Sequence, residues 1–168
     1  MDKYQYAAYG SNLHPLRLSR RVPSAKLLGT NFVASLELRF NKKSDKDGTG
    51  KCNIVNGGDG VHVAVYEIDL VQKVILDRIE GLGYGYREKA INVPGHGDCR
   101  AYVADEEAID DSLEPVDWYK EIVILGCRYH DFPVGYLSQI EVIPASSDSD
   151  EKRSREEWDL VEVLRNGT

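Results

Sequence analysis

The segment Tyr6-Ala7-Ala8-Tyr9-Gly10-Ser11-Asn12-Leu13 constrains this chain more than any other. Its first half is apolar and aromatic and reads as a short strand. It stops abruptly at Gly10-Ser11-Asn12, residue types that favour turns and expose backbone N–H groups. A strand that runs into such a turn is a ready cradle for an anion, or for an oxyanion that develops during a reaction. Taken alone, the segment is as readily an ordinary strand end. It gains weight from Leu76-Asp77-Arg78-Ile79-Glu80-Gly81, which brings a candidate base some 70 residues later.

The length of 168 residues predicts one domain, long enough to bury about two thirds of its unfolded surface without staples. A net charge of -7 argues against a nucleic-acid partner, which would need a concentrated basic surface. Arg17, Arg20 and Arg21 form the one dense basic cluster and are expected on a solvated face. No apolar run is long enough for a membrane helix, and the N-terminus does not read as a secretory leader, so a cytoplasmic protein is expected. Cys52, Cys99 and Cys127 are odd in number and far apart, the pattern of free thiols in a reducing compartment. Buried, inert cysteines fit them better than a nucleophile does. His14, His62, His96 and His130 form no close pair and no cysteine pair complements them, so no metal site is expected. Ser11 is not in a Gly-x-Ser-x-Gly elbow.

Along the chain, Tyr4 to Tyr9 reads as a strand and Pro15 to Arg21 as a short helix or turn. Phe32 to Phe40 alternates like one half-buried strand, after an apolar Leu27-Leu28 run. Residues 41–51, rich in Lys, Asp and Gly, are expected as a mobile loop. Lys51 to Val55 and Val61 to Ile68 read as strands around a glycine-rich hairpin turn. Asp69 to Ile79 is the clearest helix, with Asp69 as cap and Gly81 as stop. Tyr86 to Val93 and Asp98 to Ala104 are further strands; Glu106 to Leu113 is loop or weak helix. Val116 to Arg128 and Pro133 to Val142 are helix candidates. Ser146 to Glu157 carries eight charges in twelve residues and reads as a solvated linker outside any site. Trp158 to Leu164 can form an amphipathic helix that docks back. The division is therefore a main domain over 1–145, a charged linker over 146–157 and a docking segment over 158–168. Strands early and helices between and after them predict a mixed α+β domain.

In order along residues 4 to 143, the motifs resemble those of the gamma-glutamylcyclotransferase family. They are Tyr9-Gly10-Ser11-Asn12; Arg21, Pro23, Ser24 and Ala25 with Gly29 beyond; Gly60, Val61, Val65 and Tyr66; Leu76, Asp77, Glu80 and Gly81; and Gly126 with Phe132, Pro133 and Tyr136. The resemblance implies a small mixed β-barrel with helices packed outside it. It also implies an enzyme that needs no cofactor and takes a small gamma-glutamyl substrate. In such a substrate the α-amino group attacks its own γ-carbonyl, giving 5-oxoproline and a free amine, and proximity supplies much of the rate.

Glu80 is then the general base and acid, in a position where burial would raise its pKa. Without the resemblance, Glu80 reads more readily as an exposed residue at a helix end than as a catalytic one. The substrate-binding set implied is Tyr6, Ala7, Ala8, Tyr9, Gly10, Ser11, Asn12, Tyr86, Tyr119 and Tyr136, although Tyr6 also reads as a core aromatic. The family often carries a tyrosine seven residues after its glutamate; here that position is Arg87, with Tyr86 just before it. Asn12 departs from the Tyr-Gly-Ser-Leu of relatives restricted to glutathione. Two other readings stay open: a non-enzymatic small-anion or protein-binding module, and a cyclotransferase that trims a biosynthetic intermediate. No nucleic-acid or membrane partner is expected, and a homodimer is left open.

Overall fold

A computed structural model describes residues 2–167. Met1 and Thr168, the outer ends of the first and last expected segments, lie outside the described residues. Strand β1 (Lys3–Ala8) is the centre of a five-stranded sheet. It pairs antiparallel with β5 (Val61–Asp69), Tyr6 opposite Tyr66, and parallel with β7 (Gly97–Ala104). Strand β2 (Lys26–Val33) flanks β5, and β6 (Tyr86–Val93) flanks β7, both antiparallel. The side chains of β1 and β5 are buried in near-continuous runs, the pattern of strands covered on both faces of the sheet. The sheet curls without closing into a barrel; across its open side the Asn31 amide donates to the Pro94 carbonyl at 2.7 Å. A separate hairpin, β3 (Leu36–Lys43) and β4 (Gly50–Asn56), completes the strand set.

Helices α1 (Pro15–Arg21), α2 (Leu70–Glu80), α3 (Asp117–Tyr129), α4 (Val134–Glu141) and α5 (Glu151–Asn166) pack around this frame, giving the expected α+β class. Among the described residues no helix is long and apolar enough to cross a membrane. Gly126 lets α3 approach the chain just after the opening turn: a Cβ there would sit 2.5 Å from the Leu13 Cβ.

Several sequence expectations change. The single strand expected over 32–40 is broken between β2 and β3 at Ser35, whose φ of 59° reverses the chain. Residues 41–51 are not a mobile loop. Their ends belong to β3 and β4, and the Lys51 ammonium donates to Asp47 and Thr49, both at 2.9 Å, over the Trp118 and Tyr119 rings. Asp69 does not cap α2 with its side chain; it accepts from Lys3 instead, at 2.6 Å.

The largest correction concerns 146–157. Residues 151–157 are the first turns of α5, capped by the Asp150 carboxylate on the Arg153 N–H. Asp148 anchors this start by accepting from Trp118 Nε1 at 2.8 Å and from the Arg153 guanidinium. Charge density misled here because Asp148 and Arg153 satisfy each other and an α3 tryptophan, which anchors a helix most of whose other charges face solvent. The later part of α5 buries Val161 and Leu164.

Candidate functional site

Strand β1 carries the opening motif straight into the core. The turn that follows is closed by the Leu13 N–H on the Gly10 carbonyl at 3.1 Å, and the Tyr66 hydroxyl holds the Leu13 carbonyl at 2.7 Å. Gly10 is required sterically: a Cβ there would lie 2.8 Å from the Cys52 Cβ on β4. No acceptor among the described residues takes the N–H of Ser11 or Asn12.

Glu80 arrives from the other side, as the last residue of α2. The helix stops there because Gly81 is left-handed, φ 72°, and the Leu82 N–H closes back on the Asp77 carbonyl at 2.9 Å. Ser24 fixes α2 relative to α1. Its N–H donates to Gln72 at 2.9 Å and its hydroxyl accepts from the Asp69 N–H at 3.1 Å. The Pro-Ser-Ala element therefore sets the distance between the two walls of the site.

Asn12 joins these walls. Its amide nitrogen donates to Glu80 Oε1 at 2.5 Å and to the Tyr6 hydroxyl at 3.2 Å, and its amide oxygen accepts from Arg21 Nη1 at 3.1 Å. Behind this junction lies a narrow cleft of about 20 Å³ bounded by Tyr6, Tyr9, Gly10, Cys52, Tyr102 and their neighbours. Tyr86 and Tyr119 brace it by gripping the Cys52 backbone. The Tyr86 hydroxyl donates to the Cys52 carbonyl at 2.7 Å, and the Tyr119 hydroxyl accepts the Cys52 N–H at 3.1 Å.

In front opens a chamber of about 630 Å³ that shares Ser11, Glu80, Tyr86 and Tyr119 with the cleft. Seven cations line it (Arg17, Arg21, Lys42, Lys46, Lys51, Arg78 and Arg153) against four carboxylates (Asp45, Asp47, Glu80 and Glu157). A net acidic chain thus concentrates positive charge at one concave place. Arg17 is only 5% exposed, its Nε has no hydrogen-bond partner, and its nearest carboxylate, Glu157, is 4.0 Å away.

The electrostatics follow from burial. Glu80 is half-buried as a residue, but its carboxylate end is enclosed. Loss of solvent raises its pKa above the ordinary value, against the opposing pull of Arg21, the Asn12 hydrogen bond, Arg17 and Lys42. Burial also lowers Arg17 to about 10 and lowers Lys42. It pushes the Tyr6, Tyr9, Tyr86 and Tyr119 phenols well up and the Cys52 thiol to about 12, so these groups stay neutral across the physiological range. Among the described residues no group of three or more His, Cys, Asp or Glu is arranged to hold a metal ion.

Of the residues singled out from the sequence, Tyr6, Tyr9, Gly10, Ser11, Asn12, Glu80, Tyr86 and Tyr119 come together. Ala7 and Ala8 do not reach either cavity; they are fully buried in β1, where small side chains pack within the sheet. Tyr136 is also elsewhere, in an aromatic cluster with His62 and Phe132. Tyr86 lines both cavities, whereas Arg87 is exposed, because alternate residues of β6 face opposite ways. Sequence reasoning missed the chamber cations. Arg17 and Arg21, expected on a solvated face, are respectively buried and half-buried here. The usable signal was their i, i+4 spacing directly after the opening turn, which puts both on the helix face turned toward it.

Fold and cleft define a mixed α+β protein in which one enclosed glutamate meets a strand–turn junction. No protein-family model matches the chain. It is 26% identical over 170 aligned positions to gamma-glutamylcyclotransferase of Homo sapiens and equally to that of Bos taurus, covering 95% of this chain and 88% of each relative. A solved gamma-glutamyl cyclotransferase superposes with a TM-score of 0.81 at 24% identity, covering 96% of this chain and 99% of that one. The chain is thus similar to the gamma-glutamylcyclotransferase family over nearly its whole length and has that family's fold.

Proposed function

We propose that this chain is a gamma-glutamylcyclotransferase-like enzyme that converts the gamma-glutamyl group of a small amide or peptide to 5-oxoproline. The observation that carries the reading is the meeting of Glu80, its pKa raised by burial, with the unengaged amides of the Ser11–Asn12 turn across Asn12. Glu80 takes a proton from the substrate's α-ammonium. The freed amine attacks the γ-carbonyl and closes the five-membered ring. The tetrahedral oxyanion is held by turn N–H groups; one such donor typically contributes about 2.7–4 kcal/mol to the transition state. On collapse the bond from the γ-carbon to the leaving nitrogen breaks as Glu80 gives its proton to that nitrogen; the second proton of the attacking nitrogen then passes by way of Glu80 to the released amine, leaving a neutral lactam N–H and an ammonium product. The tyrosines and the narrow cleft keep water away from the ring being formed. The chamber cations suit an anionic substrate.

A second reading has one observation in its favour. A chamber of about 630 Å³ is within the range of drug-sized ligand sites, which suits a bulky leaving portion such as a biosynthetic intermediate. Incubation with a gamma-glutamyl amino acid, a gamma-glutamyl amine and a bulkier gamma-glutamyl conjugate, with 5-oxoproline measured, tests both readings. Release from any of them supports the enzyme, and the preferred leaving group selects between the readings. Binding without release from all three identifies a non-catalytic module instead.

A further inference from the structure

Asn12 sits between two groups that offer only one hydrogen-bonding role each. Arg21 has donors and no acceptor; an ionised Glu80 has acceptors and no donor. The observed arrangement satisfies both, with the Asn12 oxygen on Arg21 and its nitrogen on Glu80 Oε1. The reverse orientation would face the amide oxygen to a carboxylate and the NH₂ to a guanidinium. Asn12 itself is buried, so water does not easily repair such a mismatch. Ser24 and its partners hold α1, which carries Arg21, against α2, which carries Glu80. The junction is therefore built into the fold.

We propose that Arg21 is a positioning residue which, by locking the Asn12 amide, decides which oxygen of Glu80 carries the proton transferred during cyclisation. The inference rests on the proposed role of Glu80 as base and acid. With the amide locked, Oε1 always meets an N–H and cannot usefully hold a proton. The proton taken from the substrate's ammonium goes to Oε2, which no protein donor among the described residues engages. From Oε2 it passes to the leaving nitrogen. If the lock is removed, Asn12 can turn and present its oxygen to Oε1. A protonated Glu80 then donates to Asn12 and holds its proton away from the substrate. The neutral form of Glu80 is favoured, and the pH at which the base becomes available rises.

Other groups around Glu80 set a background that the test must separate from this effect. Arg17 and Lys42 face it as cations from α1 and β3, and Glu157 faces Arg17 from α5. Tyr6, Tyr9, Cys52, Tyr86 and Tyr119 face it from the β1 end, β4, β6 and α3, and remain neutral over the range assayed. Arg21 also acts on Glu80 through its charge alone.

The experiment is a carboxyl-carbon NMR titration of Glu80, with the pH profile of 5-oxoproline release beside it, for wild type, Arg21→Met, Asn12→Ala and the double variant. The expected result is that Arg21→Met raises the Glu80 midpoint by about one unit and lowers kcat about tenfold, with KM changed less than about threefold. In the Asn12→Ala background the same substitution moves the midpoint clearly less, because the relay is already cut and only the loss of the Arg21 charge remains. Arg21→Lys, which keeps a donor-only cation, restores most of the wild-type midpoint. If Arg21→Met does not fold, Arg21→Gln carries the test, since its amide can meet Asn12 in either orientation and forces neither. An equal shift with and without Asn12 means that Arg21 acts by charge alone and overturns the inference, as does no shift at all. Failure of the wild type to release 5-oxoproline sinks the proposed reaction, while the NMR titration still decides the relay.

Discussion

The narrow cleft and the open chamber share four side chains and differ in almost everything else. The cleft is aromatic, narrow, and braced by hydrogen bonds of Tyr86 and Tyr119 to the Cys52 backbone. The chamber is cationic, roomy and walled by side chains from distant parts of the chain. The contrast teaches a division of labour. Loss of solvent raises the pKa of the one enclosed carboxylate against the pull of nearby cations, and in the proposed reaction the remaining chamber cations would attract the rest of an anionic ligand. Cleft substitutions should therefore act on kcat and substitutions of chamber cations on KM, with Arg21 set apart because it also holds the Asn12 amide.

The largest expected effect is that of Glu80→Gln. The amide keeps the shape and the contact with Asn12 but accepts no proton, so kcat should fall by about 10²–10⁴-fold while KM changes little. Its stability should move the other way. Because the folded pKa of Glu80 is raised, the wild type loses stability as pH climbs from the unfolded carboxylate range through that raised value. At pH 7 the variant should melt at the same temperature or higher, and at pH 4 the difference should shrink. A variant that retains turnover would erase the distinction between cleft and chamber.

Lys42→Met sharpens the same comparison from the chamber side. Lys42 is 6% exposed and has no hydrogen-bonded carboxylate among the described residues, only the face of Tyr86 at 4.8 Å. Losing a charged contact of this kind is expected to raise KM about tenfold with kcat within about threefold. A fall in kcat alone, read from full saturation curves, would move Lys42 into the reacting group's surroundings.

Asp148→Asn tests whether the chamber's outer wall depends on the α5 anchor. Arg153 holds the Asp148 carboxyl below the usual range, so its contribution to stability is complete above about pH 4 and is lost as pH falls below that. The variant should lose about 1–2 kcal/mol at neutral pH, a few degrees of Tm, with the gap from wild type narrowing in acid. KM should rise modestly, through the loosened Arg153. The smallest effect belongs to Tyr136→Phe. The Tyr136 hydroxyl is buried without a hydrogen bond of acceptable geometry and lies outside both cavities. Its removal should leave kcat and KM unchanged and stability level or slightly higher. A clear loss of activity would return Tyr136 to the site.

What could be read in advance follows the same boundary. The cleft comes from two short, contiguous motifs, Tyr9–Asn12 and Leu76–Gly81, whose turn and helix-stop chemistry is local and therefore legible. The strands and helices that deliver them were likewise legible wherever periodicity was unbroken, as in β5 and α3. The chamber was not legible, because its charges owe their position to tertiary contacts. Lys51 needed Trp118 beneath it, Arg17 needed α5 above it, and Arg153 needed Asp148 and the α3 tryptophan. Seen in one dimension these residues look like solvated charge, and the same composition that suggested a linker supplies a wall. Tyr136 failed for the opposite reason: ten tyrosines offer too many equivalent candidates for a short motif to separate.

The place of β1 in the sheet sets an order on how such a site comes into being. Its antiparallel partner β5 runs directly into α2, so Asn12 and Glu80 can meet once about the first 80 residues are available. Its parallel partner β7 ends only at Ala104, and the α5 wall begins at Glu151. On the ribosome the reacting corner is thus outlined early and stays open to water while the rest of the chain is made. Enclosure of Glu80, and with it the raised pKa, is among the last properties the growing chain acquires.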